Sequence, residues 1–127
     1  MKGGNMKQMR VVIYCRVATK NQLDDDLALK NQSALLYQQA ERENLTIVGE
    51  VQAYEKGTYL DRPGWQKAIH LAAEKDAASI LVTKLDRVAR DFLLLEQTVA
   101  DLNKRGLELS SGDSEVFPLL RSSEYIS

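Results

Sequence analysis

Five apolar residues in a row, Val11, Val12, Ile13, Tyr14 and Cys15, stand between Arg10 and Arg16. A run this short, rich in β-branched side chains and lacking alternation, suits a strand covered on both faces. Ser79 to Thr83 is a second such run. Around them the apolar residues recur at helical spacing. Leu29, Leu36 and Ala40, with Ser33 between, form one stripe; Trp65, Ala68, Ile69 and Ala72 form a second; Phe92, Leu95, Val99 and Leu102 form a third. Buried strands alternating with amphipathic helices specify an α/β domain, here with a largely parallel central sheet of about four strands and helices on both faces.

The pattern also suggests boundaries. After the polar stretch Thr19 to Asp26 a helix is predicted from about Leu27 to Glu43, then a strand from Thr46 to Tyr54 anchored by Ile47 and Val51, and a loop at Gly57. Pro63 suits the first turn of the second helix, Gly106 ends the third, and Leu107 to Ser110 reads as a last short strand. Residues 1–9 read as a disordered end and 10–110 as the folded domain. Residues 111–127, polar, interrupted by Pro118 and without a clean period, read as a mobile tail.

At 127 residues the chain fits one domain, and 44% hydrophobic with 28% charged residues excludes a wholly disordered protein. Cys15 is the single cysteine and cannot close an internal disulfide, which fits a reducing cytoplasm. No apolar run approaches the roughly 20 residues of a membrane-spanning helix, and MKGGNMKQMR lacks the apolar segment of a signal peptide. The formal net charge of -1 and a pI near 5.8 exclude a grip on nucleic acid through an overall basic surface. Any such contact must be local.

In open α/β sheets the binding crevice lies beyond the carboxyl ends of the strands. The residues expected there are Arg16 and Thr19, then Asp61 and Arg62, then Lys84, Asp86, Arg87 and Arg90. Guanidinium groups stay charged and donate paired hydrogen bonds to phosphate oxygens, so their convergence suits a phosphodiester. A plainer alternative has Arg62 and Arg90 pairing with Asp61 and Asp91 on a solvated rim. Asp86 would either orient the arginines or only balance their charge.

The segments YCRVAT (Tyr14 to Thr19), Gln22, LKNQ (Leu29 to Gln32), LDRPG (Leu60 to Gly64) and KLDRVAR (Lys84 to Arg90) occur in the order and spacing of a known family. Over roughly Arg10 to Ser110 the chain resembles the catalytic domain of serine site-specific recombinases of the resolvase/invertase family. The resemblance implies transesterification, in which a serine attacks a DNA phosphate, forms a 5′-phosphoserine and frees a 3′-hydroxyl before the strands rejoin. It implies no metal and no nucleotide cofactor. Carried over by position, Arg16, Arg62, Arg87 and Arg90 bind and polarise the phosphate, Asp86 holds that cluster, and Gln22 and Gln32 support it.

At the position of the family's nucleophile, however, stands Ala18, which has no lone pair to attack with. Neighbouring Thr19 is displaced from that position, and a misplacement of about 1 Å can cost on the order of a hundredfold. Lys56 precedes Gly57 where the family often has a small hydroxyl residue. The family's long dimerisation helix and DNA-binding region are expected to be missing, the polar tail standing in their place. Two readings follow: a catalytic domain disabled at Ala18, or a regulatory module that pairs with a full-length recombinase or with DNA. The partners implied are DNA, bound weakly, and either a second copy or a longer relative, with no membrane and no small-molecule cofactor.

The remaining candidates read as structural. Cys15 is a buried packing residue, Trp65 belongs to the core, and His70 lies on the surface off the apolar stripe. Asp24, Asp25 and Asp26 start a helix, whose amino end favours negative charge. No glycine-rich phosphate loop appears, which removes the best evidence for a nucleotide-binding protein.

Overall fold

The computed structural model describes residues 9–18, 22–55, 62–88 and 91–112. The central apolar run extends at both ends into strand β1 (Met9–Val17), every side chain of which from Val11 onward is buried. That burial follows from its place. β1 lies between β2 (Leu45–Tyr54) and β3 (Ser79–Val82), with β4 (Glu108–Ser111) outside β3, and the order β2-β1-β3-β4 is parallel throughout. Helices α1 (Gln22–Arg42), α2 (Pro63–Glu74) and α3 (Phe92–Lys104) make the crossovers that parallel strands require.

Alternation along β1 divides the core between the two faces of the sheet. Val11, Ile13, Cys15 and Val17 pack with Leu29 and Leu36 of α1, whereas Val12 and Tyr14 pack with Trp65, Ala68 and Ile69 of α2 and Val99 and Leu102 of α3. The α/β class, the parallel sheet and the helices on both faces agree with the sequence. Among the described residues no helix is long and apolar enough to cross a membrane.

Three boundaries or faces differ from expectation. Helix α1 begins at Gln22 and not at Leu27, because Asp24 and Asp25 occupy a first turn that the helix dipole stabilises and that apolar spacing cannot register. Phe92 is 63% exposed, so it is not part of the buried stripe of α3, which runs through Leu95, Thr98, Val99 and Leu102. Thr98 joins that stripe because its hydroxyl donates to the Leu94 carbonyl at 2.8 Å. Asp91 caps the same helix by accepting from the Leu93 amide. Met9 opens β1 one residue inside the end expected to fray; residues 1–8 and the tail after Gly112 lie outside the described residues. Gly106 ends α3 as expected, with φ of +79, where a side chain would be strained.

The core gives the fold an alkaline limit. Burial pushes the Cys15 thiol from an ordinary value of 9.0 up to about 12, the Glu50 carboxylate adding to the rise and Arg87 opposing it. The Tyr14 phenol is also raised, by burial first and then by its hydrogen bond to Glu55. Both groups are neutral in the folded chain over a range where the unfolded chain would ionise. Their contribution is therefore intact below pH 9 and is lost as the pH rises towards 12. We predict a melting temperature that falls across this window and a shallower fall for Cys15→Ala. Parallel curves for the two proteins would contradict the assignment to Cys15.

Candidate active site

The chain leaves β1 for β2 on one side and returns past it to β3 on the other, so the strand order reverses between β1 and β3. In sheets of this kind the crevice opens at that reversal, beyond the carboxyl ends. β1 outruns its neighbour there. Its pairing with β3 stops at Ile13 opposite Leu81, whereas its pairing with β2 continues to Val17 opposite Tyr54.

The Arg16 backbone lies beyond the last pair with β3, and on that side a side chain takes the place of the missing strand. The Arg16 amide donates to Gln32 Oε1 at 3.0 Å, and Gln32 Nε2 donates back to the Arg16 carbonyl at 2.9 Å. Gln32, buried on α1, thus extends the sheet by one amide group and fixes the backbone two residues before Ala18. Ala18 itself is exposed at the strand end.

The Arg16 guanidinium turns inward. Nε donates to the Arg87 carbonyl at 2.6 Å and Nη1 to the Glu55 carbonyl at 2.8 Å, and the residue is 3% exposed. It joins the turn after β3 to the end of β2. Arg87 answers with Nη1 at 3.5 Å from the Arg16 carbonyl, and its Nε is buried without a hydrogen-bond partner among the described residues. Arg87 closes a short 3₁₀ turn, Leu85–Arg87, that follows β3.

Arg62 arrives from the third direction. It is the extended residue just before α2, and Pro63 opens the helix behind it. Its guanidinium carbon lies 5.8 Å from the ring centroids of both Tyr14 and Trp65, which meet edge to face at 5.0 Å. Arg62 is 2% exposed, so the alternative of a solvated rim fails for it. Arg16 and Arg62 both act electrostatically on the Tyr14 phenol.

One residue of this cluster has no sequence signal. Glu55, just past β2, accepts from Tyr14 OH at 2.5 Å, from the Gly64 amide at 2.8 Å and from the Trp65 amide at 3.0 Å. A carboxylate nine positions before a helix amide is invisible to local capping rules, because only the tertiary fold brings it there. Gly64 is what permits the approach: a Cβ there would lie 2.6 Å from Ala53 Cβ and 2.8 Å from Glu55 Oε2. Nearby, the Tyr54 hydroxyl donates to Asp26 and ties the end of β2 to α1.

Of the residues the sequence singled out, Arg16, Gln32, Arg62 and Arg87 gather at the end of β1. For Gln22 and Asp86 only the backbone is described, the first as the opening residue of α1 and the second within the 3₁₀ turn. Arg90, Thr19, Lys56, Gly57 and Asp61 lie outside the described residues. The expected open arginine rim requires correction, since Arg16 and Arg62 are buried and Arg16 is anchored on backbone carbonyls.

Comparison with known proteins agrees with this fold. Residues 11–123 match the family model described as "Resolvase, N terminal domain". The N-terminal catalytic domain of TP901-1 integrase is similar over 92% of this chain and 95% of its own, with 25% identity and a TM-score of 0.72. A resolvase family site-specific recombinase from Streptococcus pneumoniae shares the fold over 94% of this chain and 87% of its own, with 21% identity and a TM-score of 0.70. The C-terminal catalytic domain of ISC1926 TnpA, an IS607-like serine recombinase, does so over 93% and 75%, with 22% identity and a TM-score of 0.66. No curated protein matches the chain. With its sequence matched over most of its length and its sheet and crossovers in place, the chain belongs to the resolvase family, as a serine recombinase catalytic domain.

Proposed function

We propose that the arginine cluster at the end of β1 receives a DNA phosphodiester and that this chain, as it stands, does not cut it. The observation that carries the reading is the gathering of Arg16, Arg62 and Arg87 at the end of the strand that leads to an exposed alanine. Arg16, Arg62 and Arg87 come from three separate segments, and Ala18 stands exposed two residues beyond Arg16. Arg16, anchored on the Arg87 and Glu55 carbonyls, organises this cluster, and the guanidiniums of its neighbours Arg62 and Arg87 would stabilise the charge that accumulates on phosphoryl oxygens during transfer. The buried Arg87 Nε, which has no hydrogen-bond partner among the described residues, supplies a donor suited to an anion.

Without a hydroxyl at position 18 no covalent intermediate forms, and removing such a nucleophile typically costs about a millionfold. Binding survives because the arginines do not depend on it. Arg90, Asp86, Gln22 and Gln32 complete the proposed site by family position, Gln32 through its hold on the Arg16 backbone. The alternative of a regulatory module, pairing with a full-length recombinase or occupying its DNA, draws on the same observation.

The test is binding of a short DNA duplex to the full chain at low salt. Weak affinity is expected, since the net charge is -1, and it should fall further as salt rises. Arg87→Ala should weaken it roughly tenfold, the scale of one hydrogen bond to a charged group, without altering the fold. A duplex bound equally well by the Arg87→Ala protein would overturn the assignment.

A further inference from the structure

We infer that Glu55 is a positioning residue for this pocket, setting Arg62 and Arg16 relative to one another through the amino end of α2 and the hydroxyl of Tyr14. This rests on the proposed phosphate site for its functional consequence, though not for its geometry. Glu55 reaches both arginines by different routes. Its carbonyl accepts from Arg16 Nη1 at 2.8 Å, while its carboxylate accepts from the amides of Gly64 and Trp65, the residues that follow Arg62 and Pro63 at the head of α2. The same carboxylate takes the Tyr14 hydroxyl at 2.5 Å, on the ring beside which the Arg62 guanidinium lies.

The arrangement is mechanically specific. Arg62 is the last extended residue before the helix, so the direction in which its side chain leaves depends on where the first turn of α2 is held. A carboxylate accepting two amides of that turn holds it by charge as well as by hydrogen bonds. Tyr14 and Trp65 then form two walls for the guanidinium, and Glu55 grips both, one by its hydroxyl and the other by its backbone. Gly64 is the matching part, because its missing Cβ lets the helix approach Glu55. Glu55→Gln keeps the size of the side chain but replaces one acceptor oxygen with a donor, so it cannot satisfy two amides and a hydroxyl together.

The experiment uses the full chain and two readouts: the NMR signals of the Arg62 side chain, shifted by the ring currents of Tyr14 and Trp65, and affinity for a short DNA duplex at low salt. Glu55→Gln should move the Arg62 signals at least halfway to those of a free arginine and weaken duplex binding about tenfold. Tyr14→Phe keeps both rings and the helix amides, and should shift the same signals less, in the same direction. Leu36→Ala, on the opposite face of the sheet, should lower the melting temperature while leaving the Arg62 signals in place. Unmoved Arg62 signals in folded Glu55→Gln, or signals displaced as far by Leu36→Ala, would overturn the inference. Should Glu55→Gln fail to fold, unmoved signals in Tyr14→Phe would overturn it alone. If the unaltered chain binds no duplex, the phosphate reading fails, and the NMR comparison still decides the positioning role.

Discussion

Ala18→Ser is expected to convert a chain that leaves DNA intact into one that becomes covalently joined to it. Of the residues in the proposed site, this is the one whose chemistry is missing and not merely rearranged. A serine hydroxyl at the exposed end of β1 would lose its proton as its oxygen attacks phosphorus. The bond from phosphorus to the 3′-oxygen would break, leaving a 5′-phosphoserine and a 3′-hydroxyl. The gain in cleavage should be on the order of a millionfold, the usual cost of deleting a covalent nucleophile. Because affinity for DNA is weak, the assay needs a high concentration of short duplex and a denaturing gel that resolves the protein–DNA adduct. Arg62→Ala in the same background should suppress the adduct. If Ala18→Ser binds duplex and forms none, the site is impaired beyond its nucleophile. An adduct formed by the unaltered chain would show instead that another hydroxyl attacks, with Thr19 the first to test.

Much of this architecture was legible in the sequence because it is written in local spacing. The apolar run of β1 fixes a strand buried on both faces, and the stripe of Trp65, Ala68, Ile69 and Ala72 fixes α2, since each pattern has one physical period. The arginines were legible for a different reason, Arg16 standing at the carboxyl end of β1 and Arg62 and Arg87 on the connections after β2 and β3, where a parallel sheet opens its crevice. What the sequence does not encode locally is direction. Nothing in the string indicates that Arg16 turns inward onto the carbonyls of Arg87 and Glu55, or that Arg62 lies against two aromatic rings. Glu55 was missed for the same reason, its partners being brought to it only by the packing of α2 on β2. Apolar spacing put the start of α1 too late, at Leu27, because its first turn is held by charge and leaves no apolar period; the run Asp24 to Asp26 was the signal for it.

Trp65→Ala is the substitution expected to cost the fold most, and its effect should reach the pocket. Trp65 is 1% exposed, packs edge to face on Tyr14, borders Arg62, and donates its backbone amide to Glu55. Truncating a buried tryptophan to alanine typically costs about 3–5 kcal/mol. Against a total stability of roughly 5–15 kcal/mol for a typical domain, that is a large share. Part of the loss belongs to the ring pair, worth about 0.5–1.5 kcal/mol beyond the area it buries. Trp65→Phe should recover much of the total, since a smaller ring can still meet Tyr14 and border the guanidinium. Urea unfolding of the three proteins gives the stabilities, and duplex binding under conditions where all remain folded gives the effect on the pocket. Affinity should fall further for alanine than for phenylalanine, because the backbone amide that Glu55 holds survives both changes and only the aromatic wall distinguishes them. A loss below about 1 kcal/mol for Trp65→Ala, far under the range for such truncations, would mean that the ring is not seated between β1 and α2, and the described placement of Arg62 would fall with it.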